Sequence, residues 1–291
     1  MLQYANKKQR NDRTFVLTSV KQNGFSLQYA SNELQEDQTI VLSAVKQNWR
    51  VMYDISPKFK IDHQIVLEAI KQSLLVWKEL ILPLNLNNDR IFILKLIQQD
   101  WTFLGLVSEE LKNDYEIVYE AVKQNFKAIQ HASMKLQNNH NIIITAFKNG
   151  YSIQNVSQEL LDDYIFMLEI VKQDGFALNF ASDKLKNNYT IVMAAIEQNG
   201  FSFQYASEEQ RDNSELFFKA GKHNRFAFPH VSDRLKNNKE FVLKAMKESL
   251  VRLNQIPKHL YHDHDIMLYS VHKNGFTLHY ASDELKNNYN I

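Results

Sequence analysis

The sequence predicts an all-α fold, an elongated right-handed-type α-solenoid of about eleven 25-residue repeats, each one long helix followed by two short helical turns. Three observations carry this. The first is a period: an apolar residue ahead of a Lys-Gln pair, as in Val20-Lys21-Gln22-Asn23, returns as Val45, Ile70, Ile97, Val122, Phe147, Val171, Ile196, Gly221, Met246 and Val271. The steps are 25 residues long except Ile70 to Ile97, which is 27, and Phe147 to Val171, which is 24 because a Gln is missing before Asn149. The second is helix-start chemistry in register with that period, and the third is an apolar stripe of helical spacing. A fixed period of this length is the mark of a stacked repeat rather than of two globular domains.

Each repeat opens on a residue whose side chain can accept from the free N–H groups of a first helical turn. That column reads Asp12, Asp37, Asp62, Asp89, Asp114, Asn139, Asp163, Asn188, Asn213, Asn238 and Asp263. Behind it, residues such as Ile40, Val41, Ala44 and Val45 fall at i, i+1, i+4 and i+5, and Leu42 widens the stripe. A second column closes the long helix with Asn, Asp or Ser: Asn23, Asn48, Ser73, Asp100, Asn125, Asn149, Asp174, Asn199, Asn224, Ser249 and Asn274. Its successor is often Trp49, Leu74, Trp101, Phe126, Arg225 or Leu250 rather than Gly, which argues against a compulsory left-handed residue there. The column instead predicts a cap for a short turn carrying Leu27, Met52 and Trp77. A third column, Ser31, Ser56, Ser108, Ser133, Ser157, Ser182, Ser207, Ser232 and Ser282, opens the last turn and is replaced by Ile81 and Pro257.

One such unit holds too little apolar surface to fold alone and gains a core by stacking. The chain reads as one continuous array over 1–291: a partial repeat over 1–11, full repeats over 12–287 and a partial repeat over 288–291. Leu2-Gln3-Tyr4-Ala5 matches the second half of a repeat and Asn288 to Ile291 the start of another. The expectation is an excerpt of a longer array, with end-to-end self-association through uncapped terminal repeats.

Apolar content of 44% and aromatic content of 12% suffice for a core and exclude a disordered chain. The 34 Lys+Arg against 33 Asp+Glu leave no net pull toward nucleic acid or an anionic membrane. With no Cys, thiolate metal sites, disulfides and a thiol nucleophile are excluded. Apolar runs fall short of the roughly 20 residues of a membrane span, and the polar segment from Met1 to Arg10 is no secretory signal. The reading is a soluble protein, cytoplasmic or delivered into a host cytosol.

Val20-Lys21-Gln22-Asn23-Gly24 followed by Leu27-Gln28-Tyr29-Ala30-Ser31 resembles the domain-of-unknown-function 4116 repeats. The resemblance is close at Ala44 to Asn48, Val171 to Ser182, Ile196 to Ser207 and Val271 to Leu285, and degenerate at Gln72 to Leu84 and Lys247 to Leu260. It implies a helical repeat, and a setting in a larger effector-like protein, since some members come from bacteria that live inside eukaryotic cells. It brings no catalytic residues and no cofactor.

Three features compete as sites. Lys21, Lys46, Lys71, Lys123, Lys148, Lys172, Lys222 and Lys247 form a column that phosphates could track, but lysines near helix C-termini also complement the helix dipole. His259, His262, His264, His272 and His279 crowd the last two repeats, but Asp263 is already explained as a cap and no His-x3-His pair accompanies it. Trp49, Trp77 and Trp101 fall in consecutive repeats beside Arg50, Tyr53, Asp54 and Lys78, residue types that dominate binding hot spots. Against that, Trp77 stands in the column of Leu27, and Trp49 and Trp101 in that of Leu74 and Phe126, which suits core filling. A further column varies freely: Tyr29, Asp54, Glu79, Leu106, His131, Asn155, Phe180, Tyr205, His230, Gln255 and Tyr280. Tyr29, His131, Tyr205, His230 and Tyr280 join the Trp49 group as candidate partner contacts. No phosphate loop, nucleophile elbow, cofactor motif or carboxylate pair stands out. The expected function is a non-enzymatic scaffold for protein partners. The alternatives are a single-stranded nucleic-acid-binding array and the targeting module of an enzyme whose catalytic part lies elsewhere.

Overall fold

A computed structural model describes residues 2–224 and 226–287; the expected repeat start at Asn288 to Ile291 and the residue Arg225 lie outside them. The described residues are helical throughout, with no strand among them. Eleven longer helices carry the period: α1 (Arg13–Gln22), α2 (Gln38–Gln47), α3 (His63–Ile70), α4 (Arg90–Ile97), α5 (Tyr115–Gln124), α6 (His140–Lys148), α7 (Tyr164–Gln173), α8 (Tyr189–Gln198), α9 (Ser214–His223), α10 (Lys239–Lys247) and α11 (His264–Lys273). Every residue of the first Asp/Asn column is an N-cap whose side chain accepts from a first-turn N–H, as Asp12 does from Phe15 and Asn188 from Ile191. Each such cap stabilises its helix by about 1 kcal/mol relative to Ala.

The second column does double service in eight repeats. Asn23, Asn48, Asp100, Asn125, Asp174, Asn199, Asn224 and Asn274 leave the helix in an extended conformation, and their side chains accept the N–H two residues on. In most of these repeats a 3-10 turn follows, such as Gly24–Tyr29 or Gly200–Tyr205, and its central apolar residue enters the core. Gly24, Gly175 and Gly200 are not left-handed. They are needed for closeness: a Cβ on them would lie 2.5, 2.4 and 2.7 Å from the carbonyl oxygens of Ala44, Ala195 and Ala220 in the following repeat.

Three sets of polar side chains stitch one repeat to the next. The serine hydroxyl of the third column donates to an Asn or Asp twenty residues earlier, as Ser133 does to Asn113 at 2.6 Å and Ser207 to Asn187 at 2.5 Å. The same pairing joins Ser31 to Asn11, Ser108 to Asn88, Ser157 to Asn138, Ser182 to Asp162 and Ser232 to Asp212. Where Ser gives way to Ile81, the residue twenty earlier is Ile61. The Gln after the Lys column reaches back to the preceding repeat: Gln47 and Gln198 accept the N–H groups of Gly24 and Gly175, both at 2.7 Å. Finally, the first residue of a long helix bonds the N-cap of the next repeat. Arg13, Gln38, His63, Arg90 and Lys239 contact Asp37, Asp62, Asp89, Asp114 and Asp263 at 2.8 to 3.0 Å, and His140 lies 3.5 Å from Asp163. After Tyr115, Tyr164, Tyr189 and Ser214 the next cap is Asn139, Asn188, Asn213 and Asn238 instead.

The pattern breaks in three places. The two extra residues after Ile70 are taken up by a π-helical turn, Trp77–Ile81, and a left-handed Asn85 at φ 57°. After α6 and α10 the chain leaves by a Schellman turn: Tyr151 and Leu250 donate back to Ala146 and Ala245, with Gly150 at φ 98° and Ser249 at φ 61° in the left-handed position. Glycine suits that position and serine is strained in it. Ser249→Gly is therefore expected to raise stability by about 1 kcal/mol, read as an upward shift of the urea midpoint at unchanged slope.

Two compact units divide the chain, Met1–Gln137 and Asn138–Ile291. In the first, α1 packs on α2 and α2 on α3; in the second, α7 packs on α8 and α8 on α9. The core of each runs between the long helices and their 3-10 turns. Val20, Ile40, Val41 and Met52 are fully enclosed in the first unit, and Phe166, Phe203, Phe217 and Phe228 in the second. Phe217 sits at the centre of an aromatic cluster, with Phe241 at 5.0 Å and Phe228 at 6.2 Å between ring centroids.

Candidate functional site

The freely varying column lies at or just after the end of each repeat's second segment, except Glu79, which stands inside the π-helical turn Trp77–Ile81. Tyr29, His131, Phe180, Tyr205, His230, Gln255 and Tyr280 close a 3-10 turn, and Asp54 and Leu106 follow one directly. None of the eleven side chains is buried: Tyr29, His131, Phe180, Tyr205 and His230 are half-exposed and the rest exposed. Two positions earlier on the same turn stand Leu27, Met52, Trp77, Leu104, Ile129, Ile153, Leu178, Phe203, Phe228 and Leu253, all buried. A 3-10 turn of three residues per revolution turns one member inward and sends the other to the surface. Related turns thus present eleven side chains of eight kinds.

Neighbouring side chains shape this surface. The Tyr205 ring meets the exposed Phe176 of the preceding repeat edge-on at 6.3 Å. His131 lies over Gly105, where a Cβ would stand 3.2 Å from its ring, so Gly105 leaves room for the imidazole. His230 has its pKa pushed below the usual histidine value, first by burial and then by the charges of Arg211 and Lys236. It is held neutral at physiological pH. Tyr280 packs against Tyr261 and His279.

The tryptophan group is split by the fold. Trp49 and Trp77 are buried, at 6% and 5% exposure, and fill the core, Trp77 beside Phe103 with ring centroids 5.8 Å apart. Trp101 is half-buried, and among the described residues no ring contact joins the three. What reaches the surface is Arg50, whose guanidinium lies 5.0 Å over the Trp49 ring, with Tyr53, Asp54 and Lys78. Asp54 also lines a cavity of about 400 Å³ between successive turns, with Phe25, Gln28, Gln35 and Glu36.

The lysine column is exposed, and several members are met by acids: Lys71 by Glu68, Lys123 by Glu120 and Lys148 by Glu169. Among the described residues no helix is long and apolar enough to cross a membrane. The Ser-to-Asn ladder escapes sequence reasoning, although its signal, an Asn or Asp just ahead of most N-caps, is present in the sequence.

The geometry explains how known sequences align with this one. The family model described as Domain of unknown function (DUF4116) matches residues 1–35, 12–60, 37–80, 89–133, 114–161, 163–211 and 213–261. Six of the seven matches open on the N-cap of a long helix or directly at its capping column, and the full-length ones span two repeats. Besides the single residues 162 and 212, the matches leave out 81–88, and 262–291, although α11 and its turns repeat the same fold. No curated protein and no solved structure matches the chain. With matches over most of its length, the chain belongs to the family described as Domain of unknown function (DUF4116).

Proposed function

We propose that the chain is a helical-repeat scaffold for protein partners and that it holds them through the varied residues at the ends of its second segments. One observation carries this reading: an internally stitched backbone repeats one geometry while Tyr29, Asp54, Glu79, Leu106 and their equivalents vary in chemistry without being buried. Stacked repeats use such surfaces for extended recognition. The exposed aromatics beside the column add the residue types that supply binding energy at low entropic cost. The family resemblance supports a setting within a larger effector-like protein.

The test is a capture experiment with three forms of the protein. The first is unaltered, the second has Tyr29, Asp54, Glu79 and Leu106 changed to Ser, and the third has the exposed Glu33 and Lys184, outside the column, changed to Ser. Loss of a hot-spot cluster weakens a complex by about tenfold or more. Crosslinked partners, counted by mass spectrometry, are expected to fall by that factor for the second form and not the third. An unchanged set across all three, or retention on a single-stranded oligonucleotide at low salt, overturns the reading.

A further inference from the structure

The repeat that follows α10 departs from the others in a coordinated way. Six positions after the period's apolar anchor, the regular repeats bury a side chain: Ser26, Val51, Val76, Phe103, Ala128, Ala177, Ser202 and Ala227 are all enclosed. Here the position holds Arg252, which is exposed. The 3-10 turn, six residues long in Gly24–Tyr29, is Leu253–Gln255 here, a length shared with Ile153–Asn155 and Phe228–His230. The segment before it departs from the helix through the left-handed Ser249.

The same exit follows α6, where the preceding anchor is Val122; what differs here is a second substitution, in the repeat before α10. The anchor column is Val, Ile, Phe or Met in ten repeats and Gly221 in one. A Cβ on Gly221 would lie 2.7 Å from Leu250 Cδ1, so the Leu250 side chain occupies the space an anchor side chain fills elsewhere. Gly221 thus gives the Leu250 side chain its seat beside the turn.

Two cavities lie at this turn, and Ser249 and Arg252 line both. One, of about 460 Å³, has Met246, Val251 and Leu253 in its apolar lining and Arg252, Tyr269 and Lys273 among its polar groups. The other, of about 300 Å³, adjoins Leu250, Asn254, Gln255 and the exposed Phe226. Among the described residues neither Arg252 nor Lys273 has a carboxylate within ion-pair distance, whereas Lys239 of the same repeat holds both Asp263 and Asp265. The Tyr269 hydroxyl donates to the Met246 carbonyl at 3.1 Å, which fixes that wall. Backbone strain stored beside a cavity with convergent polar groups is the usual form of a built binding site.

We propose that this groove binds an aliphatic residue with an adjacent carboxylate in an extended peptide of a partner. The aliphatic side chain rests on Met246, Val251 and Leu253, and the carboxylate is held by the guanidinium of Arg252 and the ammonium of Lys273. The carboxylate is that of an acidic side chain, since side-chain cations read acidic motifs whereas chain termini are captured in backbone nests. The site is independent of the varied column that carries the scaffold reading, and its variants leave Tyr29, Asp54, Glu79 and Leu106 in place.

Fluorescence anisotropy tests this with four fluorescein-labelled peptides. One alternates Glu and Leu and has an amidated C-terminus; a second alternates Gln and Leu, also amidated; a third is Gly-Gly-Leu-Leu with a free carboxylate, and a fourth its amide. Binding of the first by the full chain is expected; binding of the third alone would place the carboxylate at a chain terminus and overturn the assignment. Arg252→Ala and Lys273→Ala are each expected to weaken it by about tenfold, the scale of one charge-assisted contact. The pair Gly221→Val with Leu250→Gly, which returns both positions to the common pattern, is expected to close the groove and abolish binding. Circular dichroism of each variant confirms folding, and the Arg252 and Lys273 variants decide the matter alone if the double variant does not fold. The proposal is overturned if neither carboxylate peptide binds, if the uncharged peptides bind equally well, or if the two cation variants bind as the unaltered chain does.

Discussion

Gly175→Ala is expected to destabilise the second unit by about 3 kcal/mol, the upper part of the range for overpacking a tight contact. The added methyl carbon would stand 2.4 Å from the Ala195 carbonyl and 2.6 Å from the buried Ser202 hydroxyl. Relief requires α8 to withdraw from the turn Gly175–Phe180, and that movement stretches the bond from the Gly175 N–H to Gln198 as well. Gly275→Ala is the matched control. It occupies the same column with nothing within 4 Å, so the change is neutral or stabilises by up to about 0.5 kcal/mol through a less flexible unfolded chain. Urea titrations of both variants, with hydrogen exchange of the Gly175–Phe180 amides as local readout, check the pair. Equal stability of the two would show that close approach does not explain these glycines.

On acidification, α2, α4 and α5 are expected to lose amide protection before α8, α9 and α10. The reason is cap chemistry. The helices α2, α4 and α5 are capped by Asp37, Asp89 and Asp114, while α8, α9 and α10 are capped by Asn188, Asn213 and Asn238, which do not titrate. Burial raises the Asp37 pKa, but hydrogen bonds from Arg13 and the Ile40 N–H outweigh it and hold the carboxyl below its ordinary value. At Asp89 burial is outweighed by the Phe92 N–H and His63, and at Asp114 by Arg90 and the Ile117 N–H. A folded-state pKa below the unfolded one contributes stability that is complete above the unfolded value, about 4 for Asp, and is lost as pH falls through the folded value. The window is therefore below about pH 4. Asp212 in the second unit is also lowered, by the Ser232 hydroxyl and then, against burial, by Arg234, but it caps no long helix. Pulsed hydrogen exchange between pH 7 and 3 separates the two groups of helices; simultaneous loss would refute the assignment.

Much of the fold is legible in the sequence because cap chemistry is local. Asp12 and its equivalents announce a helix start within three residues, and the structure places an N-cap at each. The stitches are not legible in the same way. Ser133 and Asn113 are twenty residues apart, and only stacking shows that the hydroxyl of one faces the amide of the other. The glycines show a related limit: their column argues against a compulsory left-handed residue, although Gly150 is left-handed, and the Ala195 carbonyl that requires Gly175 belongs to another repeat. Trp49 and Trp77 show the converse, since an unusual composition suggests a surface and the packing uses both as core. Arg252 in an apolar column and Gly221 in the anchor column are both visible in the sequence, but they read as decay of the repeat until Leu250 is seen in the space above Gly221.

Every stitch joins residues between 19 and 27 positions apart. A repeat therefore waits on only the next stretch of chain, about one repeat long, before its polar groups are satisfied, whatever the length of the array. Low contact order of this kind favours rapid, local folding. A polypeptide leaving the ribosome amino end first can finish each repeat while the one after the next is still being made, and little unpaired surface is exposed at any moment.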